Sequence, residues 1–221
     1  DLSPKVFSQE YLANWENFAG VIFNEFGQHN IQQVRKPTET EPIYIGMDFN
    51  VTPMSAVIGR QTRSGIEIYD EIYLDNSNTT EMIDEIRLRY PKNPIVVWPD
   101  PAGVQRKSSA NGNTDIKLLE IAGFQTRYHR QHPLVRDRIN AVNSRLCTAD
   151  GRRHLYIAST CKHTIEGLER QTYKENSSQP DKDSGLDHQM DALGYMVDYL
   201  FPLVKIPSQT TQPQRWGHKV K

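Results

Sequence analysis

Three aspartates sit where an acidic side chain is costly. Asp48 lies near the end of the β-rich run 43–50 (IYIGMDFN), after an uncharged stretch, and Asp100 follows the wholly apolar run 95–98 in VVWPDP. An ionised carboxylate against an apolar core costs several kcal/mol in effect unless something pairs with it. Two side by side are worse, because each raises the other's pKa. A divalent cation removes both problems, since Mg²⁺ takes oxygen ligands from one or two carboxylates and completes its shell with water and phosphate oxygens. The third aspartate, Asp191, lies in 184–195 (SGLDHQMDALGY). There Asp187 and His188 precede it by four and three residues, so all three share one side of a helix. Ser184 and Asp187 fit a capping box, which assigns Asp187 to the helix start. Asp191 is a turn further in, where a cap cannot account for it. His188 suits a third ligand or a group that orients one. Taken singly, Asp48 and Asp100 read equally well as turn caps.

The elements that must bring these residues together follow from periodicity and breakers. Residues 43–50, 54–60 and 66–74 read as three consecutive strands of an antiparallel meander, turning at Arg63–Gly65. A helix follows, with Asn78 or Thr79 as N-cap and Pro91 as its stop. Residues 95–98 form a short strand buried on both faces. Next come a helix over 116–122, a strand over 124–129, and a helix from Pro133 or Leu134 through Cys147. A short strand over 155–158 and helices over 161–173 and 186–200 complete the order. Leu186, Met190, Leu193, Val197 and Leu200 make one buried stripe on the last helix. Gly194 is expected to let that helix approach the sheet. A helical crossover into the fourth strand sets it parallel to a neighbour, the first strand. The arrangement is α/β and ribonuclease H-like, a mixed five-stranded sheet flanked by helices. It demands that Asp48 and Asp100 end adjacent strands.

The chain has 221 residues, 37% hydrophobic and 24% charged, which suits one sizeable domain. Residues 1–42 read as a lead-in, with helix-like spacing from Tyr11 to Phe18 and a polar connector over 28–42. The core is expected over 43–202. The tail over 203–221 is basic, of low complexity, and expected to be flexible. The missing initiator Met suggests a piece of something longer. No apolar run approaches the ~18 residues of a membrane span, and the opening has no secretory h-region. Cys147 and Cys161 allow one disulfide and no zinc quartet, with a reducing compartment as the expectation.

The net charge of −1 confines any nucleic-acid contact to local patches. The candidates are Arg127 and Arg130 in RYHRQH, continuing to Arg136 and Arg138, then Arg106 with Lys107, and Arg152 with Arg153. Such runs are equally often solvated surface. The loop 105–113 is the best placed, directly after Asp100, and its contacts would be sequence-independent and salt-sensitive. GVQRKS at 103–108 is no phosphate loop, because Arg106 stands where a Gly must free backbone N–H groups. No ATP site is expected in this chain.

Together, QEYLANWENFAGVIFNEF at 9–26, IYIGMDFN at 43–50, DEIYL at 70–74, VVWPDPAG at 96–103 and DHQMDALGY at 187–195 resemble the C-terminal nuclease domain of the tailed-bacteriophage terminase large subunit. That resemblance implies a ribonuclease H-like fold and two-metal cleavage of double-stranded viral DNA during genome packaging. It implies two divalent cations, Mg²⁺ or Mn²⁺, on an acidic triad of Asp48, Asp100 and Asp191, with His188 accompanying it. Asp48, on the central strand, is the expected ligand common to both ions. The implied partners are DNA, an ATPase domain of the same polypeptide, a portal and a small terminase subunit, in the host bacterial cytoplasm and without a membrane. Gly194 departs from the family, whose members often carry a larger, frequently basic residue there. A junction resolvase type of nuclease, a non-catalytic DNA- or capsid-docking module, and a structural domain whose acids cap turns are the competing readings.

Overall fold

The computed structural model describes residues 20–105 and 113–203. The lead-in expectations over 9–19, most of the 105–113 loop with Arg106 and Lys107, and nearly all of the tail fall outside the described residues.

Runs rich in Ile, Val and Tyr build the strands β1 (Ile31–Gln32), β2 (Ile43–Asp48), β3 (Met54–Gln61), β4 (Ile66–Leu74), β5 (Ile95–Pro99), β6 (Gln125–Thr126) and β7 (Leu155–Ala158). They form one sheet in the order β1-β7-β4-β3-β2-β5-β6. The β2-β3-β4 meander is antiparallel, and β5 lies parallel to β2, as the helical crossover requires. The remaining pairings, β5 with β6, β4 with β7 and β1 with β7, are parallel. The sheet therefore has seven strands rather than the expected five. Two of them, β1 and β6, are two residues long, too short to carry an alternation.

The helices are α1 (Thr79–Arg89), α2 (Asp115–Ile121), α3 (Val135–Leu146), α4 (Lys162–Arg170) and α5 (Asp187–Leu200). Asn78 caps α1, its side chain accepting from the Thr80 and Glu81 amides. Alternation along the strands divides the core in two. Ile43, Ile45, Met47 and Val97 pack with Met82, Ile86, Ile116 and Leu119 of α1 and α2. On the opposite face Val57, Trp98 and Ile157 pack with Ile139, Val142, Leu193 and Met196 of α3 and α5.

Two sequence expectations are corrected here. The core begins before Ile43, because Ile22, Phe23 and Phe26 are buried in it. Asn30 is fully buried and ties this segment to the rest. Its Nδ2 donates to the carbonyls of Leu146 and Leu155, both at 2.9 Å, and its Oδ1 accepts from Arg153 at 2.7 Å. Over 28–42 these hydrogen bonds are joined by only Ile31 and Val34 as apolar contacts among the described residues, which is why that polar stretch reads as a connector. Arg153 is thereby turned inward, while Arg152 pairs with Asp150 on the surface. The single stripe on α5 is also too narrow a picture. Residues 192–198 are all buried, because α5 lies between the sheet and helices α3 and α4.

Candidate active site

Strand register brings the first two acids together. Met47 is paired with Pro99, and the Asp100 amide donates to the Met47 carbonyl at 2.9 Å, so Asp48 and Asp100 leave adjacent parallel strands side by side. Tyr44, Gly46 and Asp48 share the face of β2 that α5 covers. The helix comes so near that a Cβ on Gly46 would sit 2.1 Å from the Ala192 carbonyl oxygen. One pleat beyond Gly46 is Asp48, and one turn before Ala192 is His188. They meet, with His188 Nδ1 3.0 Å from Asp48 Oδ2. Gly46, not Gly194, is thus the residue that admits the helix to the sheet. Gly194 faces α3 instead, where an added Cβ would lie 3.5 Å from the Arg138 Cβ.

Asp48, Asp100, Asp191 and His188 all line one open cleft of about 520 Å³. Each acid faces a basic side chain. Asp48 pairs with His188 and Asp191 with Arg138 at 2.9 Å, while His132 lies 3.5 Å from Asp100 and Lys182 3.3 Å from Asp187. Among the described residues, no three carboxylate, imidazole or thiol groups close on one point as a ready cage. Asp100 also caps the turn after β5, its Oδ1 accepting from the Ala102 amide at 2.8 Å. The capping reading of that residue is correct for one of its two oxygens.

The electrostatics follow from crowding. Burial pushes the Asp48 carboxyl above the ordinary carboxylate range, and Asp100 and Asp187 push the same way against the His188 hydrogen bond. Burial likewise raises Asp191, with Arg138 opposing and Asp48 adding to the rise. The hydrogen bond to Asp48 raises His188. Asn50 Nδ2 lies 2.8 Å from His188 Nε2, so a ring protonated on Nδ1 donates to Asp48 and accepts from Asn50. Sequence reasoning misses Asn50, although its place two residues after Asp48 on a strand-end loop is the signal. His132, part of a basic run in the sequence, belongs to the cleft.

Asp187 is corrected as well. The residue preceding α5 is Leu186 and no side chain caps the helix, so the Ser184–Asp187 box does not form. Asp187 is buried instead, and among the described residues its oxygens accept no aligned hydrogen bond beside the Lys182 ion pair. Arg127 and Arg130 are exposed and do not line the cleft. The donor set is oxygen-rich, with an imidazole beside it, and its Asp48 and Asp191 carboxyls are raised by burial and by neighbouring acids. Such a set fits hard divalent cations, which relieve that strain.

No family model matches the chain, and no curated protein matches it. Solved structures do. The large terminase of a thermophilic bacteriophage, in complex with ATP-gamma-S, superposes with a TM-score of 0.59 at 20% identity over 89% of this chain and 52% of that one. This chain therefore spans about half the length of that terminase. The P22 large terminase nuclease domain gives 0.57 at 18% identity, covering 81% of this chain and 92% of its own. The large terminase nuclease of thermophilic phage G20c with bound magnesium gives 0.54 at 13% identity, covering 83% and 97%. The chain thus has the ribonuclease H-like fold of large terminase nuclease domains.

Proposed function

We propose that this chain is a metal-dependent endonuclease that cuts double-stranded DNA during viral genome packaging, as the nuclease part of a terminase large subunit. One observation carries the proposal. Carboxylates from the ends of two adjacent parallel strands and from a buried helix line a single cleft, on the fold of nuclease domains one of which holds magnesium. Asp48 would bind both of two Mg²⁺ or Mn²⁺ ions, with Asp100 on one and Asp191 on the other. Bound there, such ions polarise a phosphate and supply hydroxide at neutral pH. His188 orients the Asp48 carboxylate through Nδ1, and Asn50 fixes the imidazole ring. Arg127, Arg130, Arg106 and Lys107 are proposed phosphate contacts along the duplex. An ATPase domain of the same polypeptide, a portal and a small terminase subunit are the proposed partners, in the host cytoplasm.

The test is conversion of supercoiled plasmid in Mg²⁺, Mn²⁺, Ca²⁺ or EDTA, beside Asp48→Ala. Cleavage with Mn²⁺ or Mg²⁺ is expected, lost in EDTA and in the variant. A folded sample that cuts plasmid with none of these metals, and melts at the same temperature with and without Mn²⁺, overturns the proposal.

A further inference from the structure

Arg138 reads in the sequence as the last member of a basic surface run, but it is buried, with a side chain 7% exposed. From α3 it reaches across to three neighbours on one side of α5. Its Nη1 lies 2.9 Å from Asp191 Oδ1, an ion pair by distance that lacks hydrogen-bond alignment. Its guanidinium carbon stands 4.3 Å from the centroid of the Tyr195 ring, and its stem runs past Gly194. Asp191 and Tyr195 are one turn apart, so the guanidinium is held between a carboxylate and an aromatic face. Burying an arginine is costly unless its charge is matched. Here the match is one of the cleft acids and a π face. The other basic side chains around the cleft differ in kind. His132 and His188 are imidazoles rather than permanent cations, and the Lys182 side chain is 70% exposed. Arg138 alone among these four is both buried and permanently charged.

We propose that Arg138 is a positioning residue for Asp191, holding Oδ1 so that Oδ2 is the oxygen presented to a divalent cation in the cleft. The inference rests on the metal-nuclease reading above and adds to it the residue that aims the third carboxylate. A cation whose place is fixed by a buried stem and the Tyr195 face holds its charge at one point beside the carboxylate, in a way that an exposed lysine does not. Removing a group that orients a metal ligand typically weakens metal affinity by about 10–100-fold.

The experiment is Mn²⁺ titration of the full chain by calorimetry and by thermal unfolding, for wild type, Arg138→Met and Arg138→Lys, with plasmid cleavage at each Mn²⁺ concentration. Arg138→Met keeps the apolar stem and is expected to bind Mn²⁺ about 10–100-fold more weakly. Arg138→Lys restores charge without the planar fork, and its midpoint is expected between the two. A Met variant that melts earlier yet binds Mn²⁺ with the wild-type midpoint makes Arg138 a packing residue and overturns the proposal. Tighter Mn²⁺ binding by the Met variant also overturns it, because the arginine would then be a competitor of the ion. Should the Met variant not fold, a Lys variant with the wild-type midpoint has the same force. A wild type that neither binds Mn²⁺ nor cleaves removes the nuclease reading itself, and this inference with it.

Discussion

Asp48 is buried under α5, and His188 favours its ionised form against burial, Asp100 and Asp187. The consequence for stability has a definite sign. A carboxyl raised in the folded state binds its proton more tightly there than in the unfolded chain. Stability is then full below the ordinary value of about 4 and falls as pH rises through the raised value. Asp48→Asn removes the charge and keeps an oxygen for His188 Nδ1 to donate to. In EDTA the variant should melt at or above the wild-type temperature at pH 7, with the difference narrowing toward pH 4. In Mn²⁺ the order should reverse, because only the carboxylate gains from the ion. Thermal melts of both proteins between pH 4 and 8 decide it. A wild type that is the more stable in EDTA at every pH would mean that the His188 pair outweighs burial.

The two glycines at the faces of α5 make opposite demands on the elements they join. At Gly46 a methyl group would meet the Ala192 carbonyl, backbone that cannot rotate away, so either α5 or β2 must shift. Gly46→Ala should cost several kcal/mol, in the range of overpacked cores or above it. At Gly194 the nearest atoms of Arg138 lie at 3.5–3.8 Å, which is ordinary contact. There an alanine should be tolerated, gaining up to about 1 kcal/mol of helix propensity. Urea melts of the two variants test the contrast, and equal losses would contradict it. Periodicity assigns Gly194 to the sheet because spacing tells which residues share a face, not which neighbour covers it. Arg138 is misplaced for the same reason. Long-range packing turns a member of a basic run inward, and no local pattern records that. The strand-end acids are legible because their argument is topological. A crossover forces β2 and β5 parallel, and an acid after each apolar run then needs no side-chain detail to be placed.

For the molecule as a whole, the division between lead-in and domain is where sequence and structure differ most. The polar stretch over 28–42 has the composition of a linker, yet β1 adds the edge strand beside β7, and Asn30 satisfies two carbonyls on other elements. Ile22, Phe23 and Phe26 close the apolar face beneath α3. Side chains of this size contribute roughly 1.5–3 kcal/mol each when buried. Their joint removal thus takes away on the order of 5 kcal/mol, comparable to the whole stability of many domains. A chain begun at Ile43, the boundary the composition suggests, should therefore unfold at lower urea than the full chain and bind a hydrophobic dye. The loss should not be confined to that edge. Asn30 also fixes the Leu146 and Leu155 carbonyls, at the end of α3 and the start of β7, and α3 is the helix that carries Arg138 to Asp191. The milder Asn30→Ala should accordingly lower stability by about 1–3 kcal/mol, because the Leu155 carbonyl loses the Asn30 donor and Arg153 loses the Asn30 acceptor, while Arg153 still reaches the Leu146 carbonyl. It should also weaken Mn²⁺ binding less than Arg138→Met does. A truncated chain as stable as the full one would return residues 20–42 to the role of a linker.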